Sequence, residues 1–147
     1  METAKEYLSK IQTYRQTMQV YADRIETLYH DAAGIKAIVH DKDRVQVSPE
    51  NRFEQIMAKI DAEARKWAAA RLKYEKEVQK RVEQITGMDK QEYAEILRLR
   101  YIELDRDGRM MSLEEISCRM HMSFYRVAHI HGEALEAFRR KYLLAQT

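Results

Sequence analysis

Apolar residues recur near the start of the chain at Tyr7, Ile11, Tyr14, Met18, Tyr21, Ile25 and Leu28, at spacings of 4, 3, 4, 3, 4 and 3. On an α-helix this alternation keeps one seam facing a neighbour, so it predicts a long helix over about 3–29 that packs on another helix. Tyr7, Tyr14 and Tyr21 then read as seam residues whose hydroxyls reach the edge. From His30 to Val47 the alternation is lost. Gly34 interrupts it, 41–44 is a charge cluster, and Val45-Gln46-Val47 alternates like a short extended piece, so about 30–48 is expected to be a connector. Ser48-Pro49 has the form of an N-cap followed by proline at the first helical position, where its missing N–H costs nothing. A second long helix follows, marked by Phe53, Ile56, Met57, Ile60, Ala64, Trp67, Tyr74, Val78, Val82 and Ile85, and Gly87 is expected to cap its C-terminus.

Beyond Gly87 the elements shorten. Asp89-Lys90-Gln91-Glu92 reads as a capping box, followed at helical spacing by Tyr93, Ile96, Leu97 and Tyr101. A turn is expected at 105–108. Ser112-Leu113-Glu114-Glu115 is a second capping box, opening a short helix with Leu113, Ile116 and Met120 inward. His121-Met122 leaves room only for a tight turn, with His121 among the residues that tolerate positive φ. Ser123 caps a last helix that carries Val127, Ile130, Ala134, Leu135 and Phe138 inward, and Ser117 is small where the two helices must approach. Helix, two-residue turn, helix is the outline of a helix-turn-helix, and a plain α-hairpin fits the same outline. Gly132 falls inside the last helix, which suggests close packing or a kink.

Composition narrows the choices. The 147 residues contain only 4 glycines and 1 proline, too few turn formers for a many-stranded sandwich, a barrel or a Gly-rich nucleotide fold. The fold expected is therefore all-α: a long helical hairpin or coiled coil over 1–86, then a small helix-turn-helix domain over 87–147. The net charge of +2 does not announce a nucleic-acid binder, so that reading rests on local patterning. Residues 59–81 hold eight basic and four acidic side chains, among them Lys66, Arg71 and Lys73 as candidate phosphate contacts, although a solvated helix face would carry the same charges. Residues 119–141 hold five basic and two acidic, whereas 87–147 as a whole balances ten against ten, so a single module should bind DNA weakly without a homodimer or other homo-oligomer, a further partner, or help from the basic long helix. The single cysteine, Cys118, excludes an internal disulfide framework. The first residues have no apolar core behind a basic start, and nowhere do 18 apolar residues run together. A cytoplasmic protein that does not engage a membrane is expected.

Residues 94–101 (Ala-Glu-Ile-Leu-Arg-Leu-Arg-Tyr), Ser112-Leu113-Glu114-Glu115-Ile116, Ser123, Arg126-Val127, Ile130, Ala134-Leu135 and Phe138-Arg139 resemble region four of the bacterial sigma factors. The stretch 131–138, with 47–53 upstream, looks like a group of prophage proteins from Gram-positive bacteria, akin to the RinA and ArpU types of late transcription regulator. The resemblance implies that the helix from Ser123 enters a DNA major groove. Phe124, Tyr125, Ala128 and His129 would then face the bases, and Arg119 and Arg126 would hold phosphate. It also implies RNA polymerase as a possible partner and late phage genes as the target. Other readings of the same pattern are a small terminase-like DNA-packaging subunit and a sigma-region mimic that touches polymerase without reading DNA.

Enzymatic chemistry has little to stand on. No Gly-rich phosphate loop, Gly-x-Ser-x-Gly elbow or His-Glu-x-x-His helix occurs, and no cofactor is implied. Cys118, His121, His129 and His131 suggest zinc, but His129 and His131 are two apart on one helix and point about 200° apart, so no metal site is expected. Asp105-x-Asp107-Gly108 lacks the further ligands of a calcium loop.

Overall fold

A computed structural model describes residues 1–39 and 49–144. The protein is all-α, with helices α1 (Ala4–Val39), α2 (Pro49–Thr86), α3 (Gln91–Leu97), α4 (Leu113–Met120) and α5 (Phe124–Phe138). Single π-helical turns, Arg98–Ile102 and Arg139–Leu143, extend α3 and α5. Among the described residues, extended pairing is limited to an isolated antiparallel bridge between Leu104 and Met110.

α1 and α2 contain 36 and 38 residues, or about 54 and 57 Å of helix. α2 begins at Pro49 as expected; the Ser48 cap and the extended piece at 45–47 lie outside the described residues. α1 does not stop near Tyr29. It continues through Gly34 to Val39, which overturns the first part of the expected connector. A glycine in a helix interior costs about 1 kcal/mol. Ala32 and Ile35 on either side of it are buried, and burying an isoleucine contributes about 1.5–3 kcal/mol, enough to carry the helix past Gly34.

The chain forms two compact units, whose division differs from the boundary expected at 86/87. The first is discontinuous, joining Met1–Thr13 to Glu75–Thr147. Its core gathers Tyr7 and Leu8 from α1, Ile85 and Met88 from the end of α2, and Ile96, Leu97, Tyr101, Ile116, Val127 and Phe138 from the C-terminal helices. The opening of α1 buries Ala4, Tyr7, Leu8 and Ile11, a wider stripe than the coiled-coil seam, and so takes in Leu8, which the 3–4 alternation omits. The Tyr7 ring lies 5.8 Å from that of Phe138, and its hydroxyl donates to Gln84 Oε1 at 2.7 Å.

Arg81 belongs to this core rather than to a solvated basic face. It is 1% exposed, its Nε donates to the Tyr7 carbonyl at 2.9 Å, its Nη1 reaches Glu77 Oε2 at 2.7 Å, and its guanidinium stands 4.0 Å from the Tyr7 ring centre. A buried cation is tolerable only with such partners.

Gly87 ends α2, but not through a left-handed cap. Among the described residues positive φ occurs at Gly108 (76°) and His121 (54°). A Cβ at position 87 would stand 2.6 Å from the Tyr142 hydroxyl oxygen, so a larger residue there would have to displace that side chain. The expected capping box at Asp89 does not form. Lys90 takes the N-cap position of α3 without a side-chain cap, while the Asp89 carboxylate accepts from Lys141 Nζ at 3.1 Å.

The second unit, Tyr14–Tyr74, is an antiparallel helical hairpin. Arg15 Nη2 donates to the Tyr74 hydroxyl at 3.0 Å, Lys73 Nζ lies 5.3 Å from the Tyr14 ring centre, and Arg24 sits 3.9 Å from Glu63. Its buried apolar side chains, among the described residues, are Ala32, Ile35 and Ile60; the seam residues Tyr14, Met18, Tyr21, Ile25 and Leu28 are half-buried. No helix among the described residues is long and apolar enough to cross a membrane.

Candidate nucleic-acid interface

Two capped helices and the turn between them set the geometry. The Ser112 hydroxyl accepts from the Glu115 amide at 3.2 Å and starts α4. α4 ends on His121 in the left-handed conformation, and the Met122 amide donates back to the Ser117 carbonyl at 3.0 Å. That closure satisfies carbonyls which the end of a helix leaves open and reverses the chain within two residues. The Ser123 hydroxyl then accepts from the Arg126 amide at 3.2 Å and opens α5. Ser123 therefore serves as a cap, with its oxygen already engaged.

α5 packs on α3 and α4 through Val127, Ile130, Ala134 and Phe138, all buried; Leu135, expected inward with them, is half-buried. With this inner face fixed, the opposite face carries Tyr125, Ala128, His129 and Gly132. Tyr125 is 86% exposed and Phe124 46%, and the two rings meet edge to face at 6.3 Å. Ala128 is half-buried. His129 is exposed, with Nε2 2.8 Å from Glu133 Oε1, while Tyr93 donates to the other oxygen of Glu133 at 2.9 Å. Gly132 is exposed, and a Cβ there would meet nothing within 4 Å, so close packing among the described residues does not explain it.

The basic side chains are less available than their number suggests. Arg119 lies 3.8 Å from Glu115, and Arg126 lies 3.8 Å from Glu92. Arg139 and Arg140 both bind Glu136, at 2.6 and 3.0 Å, and these two bonds hold its carboxyl down at about 2. Lys141 Nζ donates to the Gly87 carbonyl and to Asp89. Much of the basic excess at 119–141 thus lies beyond the last residue of α5, where cations complement the negative end of the helix dipole. Around the first turns of α5 the cations in this stretch are Arg126 and, on α4, Arg119. Lys66, Arg71 and Lys73 are exposed on α2 in the hairpin unit, with Lys66 3.4 Å from Glu63 and the Arg71 guanidinium 5.4 Å from the Trp67 ring centre.

The sequence does not anticipate what holds His131. Its Nε2 lies 2.9 Å from the Tyr101 hydroxyl, with the two rings stacked at 5.8 Å. Desolvation pulls the imidazole down to about 4 and pushes the phenol up to about 12, so both are neutral at pH 7. The spacing of 30 residues leaves no local signal for this pair. Arg100 adds a second tie, its Nη1 donating to the Met111 carbonyl at 2.6 Å. Among the described residues no group of three His, Cys, Asp or Glu side chains is placed to hold a metal ion, and Cys118 is exposed. Comparisons with protein-family models, curated proteins and solved structures find no match to this chain.

Proposed function

We propose that the protein is a sequence-specific DNA-binding regulator of transcription that inserts α5 into the major groove. The observation that carries this reading is the α4–turn–α5 unit: two serine-capped helices joined through a left-handed His121, with the inner face of α5 buried and Phe124, Tyr125 and His129 projecting from its first two turns. A helix-turn-helix reads DNA in that way, with the N-terminal residues of its second helix on base edges. Arg119 and Arg126, each 3.8 Å from its carboxylate in rather open pairs, can exchange those partners for phosphates. The resemblance to sigma region four and to prophage late regulators supports transcription as the process served, with polymerase as the partner it implies. Few unpaired cations near the first turns of α5 mean a weak single module, which favours binding as a homodimer.

Selection from random duplex DNA, followed by a salt titration on the enriched site, tests the proposal. Tyr125→Ala and His129→Ala should reduce binding to that site, whereas Lys66→Ala or Lys73→Ala should reduce binding evenly across sequences. No enriched sequence and no salt dependence would overturn it. A ring of many subunits in solution would favour DNA packaging, and polymerase capture without DNA affinity would favour the mimic.

A further inference from the structure

The outer face of α5 is short of the groups that read guanine and adenine. Guanine is read by paired donors from arginine or lysine, and adenine by the amide of asparagine or glutamine. α5 contains no lysine, asparagine or glutamine, and its one arginine, Arg126, points towards Glu92 on α3. His129 is engaged by Glu133, and His131 is turned in against Tyr101. Glutamate can accept from cytosine, but Glu133 already accepts from Tyr93, and Glu136 is held by Arg139 and Arg140. Besides His129, what the face offers to a base edge is two exposed aromatic rings, Phe124 and Tyr125, followed by Ala128 and Gly132. The two small residues leave the helix surface low, so that the backbone itself can come near the groove floor.

Resting on the major-groove reading above, we infer that α5 recognises thymine through its 5-methyl group, with Phe124 and Tyr125 as the apolar surface that covers it. The thymine methyl is the one apolar feature of the major-groove edge, and contact with it requires no donor or acceptor. The recognised sites are then rich in A·T pairs where α5 touches the bases, and the signal is lost when thymine becomes uracil, since pairing is unchanged and only the methyl is removed.

The test uses the full chain and random-centre duplexes prepared in parallel with thymidine and with deoxyuridine. Enriched sites should contain thymine at α5-contacted positions, and each deoxyuridine placed there should weaken binding by about fourfold, the effect expected from one methyl-sized group left unburied. Tyr125→Ala and Phe124→Ala proteins should bind the thymidine and deoxyuridine sites alike. Because both side chains lie on the exposed face, circular dichroism should show these variants folded. Enriched sites that bind equally well in both forms would overturn the inference while leaving DNA reading intact, as would sites dominated by guanine and weakened by 7-deazaguanine. No enrichment from either pool would overturn both.

Discussion

The discontinuous unit and the hairpin unit share the same two long helices but bury them very differently. In the discontinuous unit, the first turns of α1 and the last turns of α2 meet α3, α4 and α5, and Leu8, Ile85 and Phe138 are almost wholly removed from water. Within the hairpin unit, the elements among the described residues are two helices, and there Tyr14, Met18 and Tyr21 remain half-buried and Leu72 is 70% exposed. A helix pair can cover one face of each partner, whereas a core needs elements on several sides. An uninterrupted apolar seam therefore marks where a helix can pack, and the number of neighbours decides how far it is buried.

Truncations offer the strongest test of that contrast. Phe138→Ala should cost the discontinuous unit about 3–5 kcal/mol, whereas Tyr21→Ala in the hairpin should cost about 1 kcal/mol. Urea unfolding together with site-resolved amide exchange would show it. Equal costs, or equal protection of the hairpin and of α5, would abolish the distinction.

Acid should act more selectively. The His131 imidazole resists protonation until about pH 4 in the fold but accepts a proton near 6.5 when unfolded, so the unfolded chain binds more protons between those values. Stability of the discontinuous unit should be complete above pH 6.5 and fall as pH drops towards 4. A His131→Gln variant should lose that dependence, which unfolding midpoints across the window would reveal. Glu136 acts at lower pH, its contribution being lost from about 4.5 down to about 2. Tyr101 works at the opposite extreme, where stability should decline as pH rises from 10 towards 12.

The smallest effect separates folding from reading within α5. Gly132→Ala should stabilise the helix by about 0.5–1 kcal/mol, because a Cβ there meets nothing within 4 Å. If α5 approaches DNA closely, the same change should weaken binding to the selected site while raising the melting temperature. Unchanged affinity would remove Gly132 from the contact face.

Much of the local punctuation was legible in the chain. Ser112 and Ser123 cap the helices expected of them, Gly108 turns at positive φ, and His121 takes the left-handed position between α4 and α5. These signals work because each acts within a few residues of itself. Gly34 and Asp89 mislead for the opposite reason: burial of Ala32 and Ile35 outweighs the glycine, and Lys141, 52 positions away, draws Asp89 from its cap. Arg81 reads as one more cation in a basic run, and only the backbone carbonyl of Tyr7, 74 positions off, gives it a place inside. In the candidate interface, helical phase places Phe124, Tyr125 and His129 outward, and the resemblance is what proposes them for DNA. The pairing of nearby cations could not be read in that way, because Glu92 and Asp89 belong to the start of another element.

The split construction of the first unit bears on the order in which the chain acquires structure. Residues 1–13 and 75–144 form one core, although the whole hairpin (Tyr14–Tyr74) lies between them in the chain. Bringing such distant segments together loses chain entropy, and contacts of that range slow folding. The hairpin shortens the search, since its Arg15–Tyr74 contact joins positions adjoining both segments. During synthesis on a ribosome, Tyr7 and Leu8 would emerge before the whole hairpin and would meet Phe138 only after α3, α4 and α5 had followed. Until then the apolar stripe of Tyr7, Leu8 and Ile11 is open to chaperones and to aggregation.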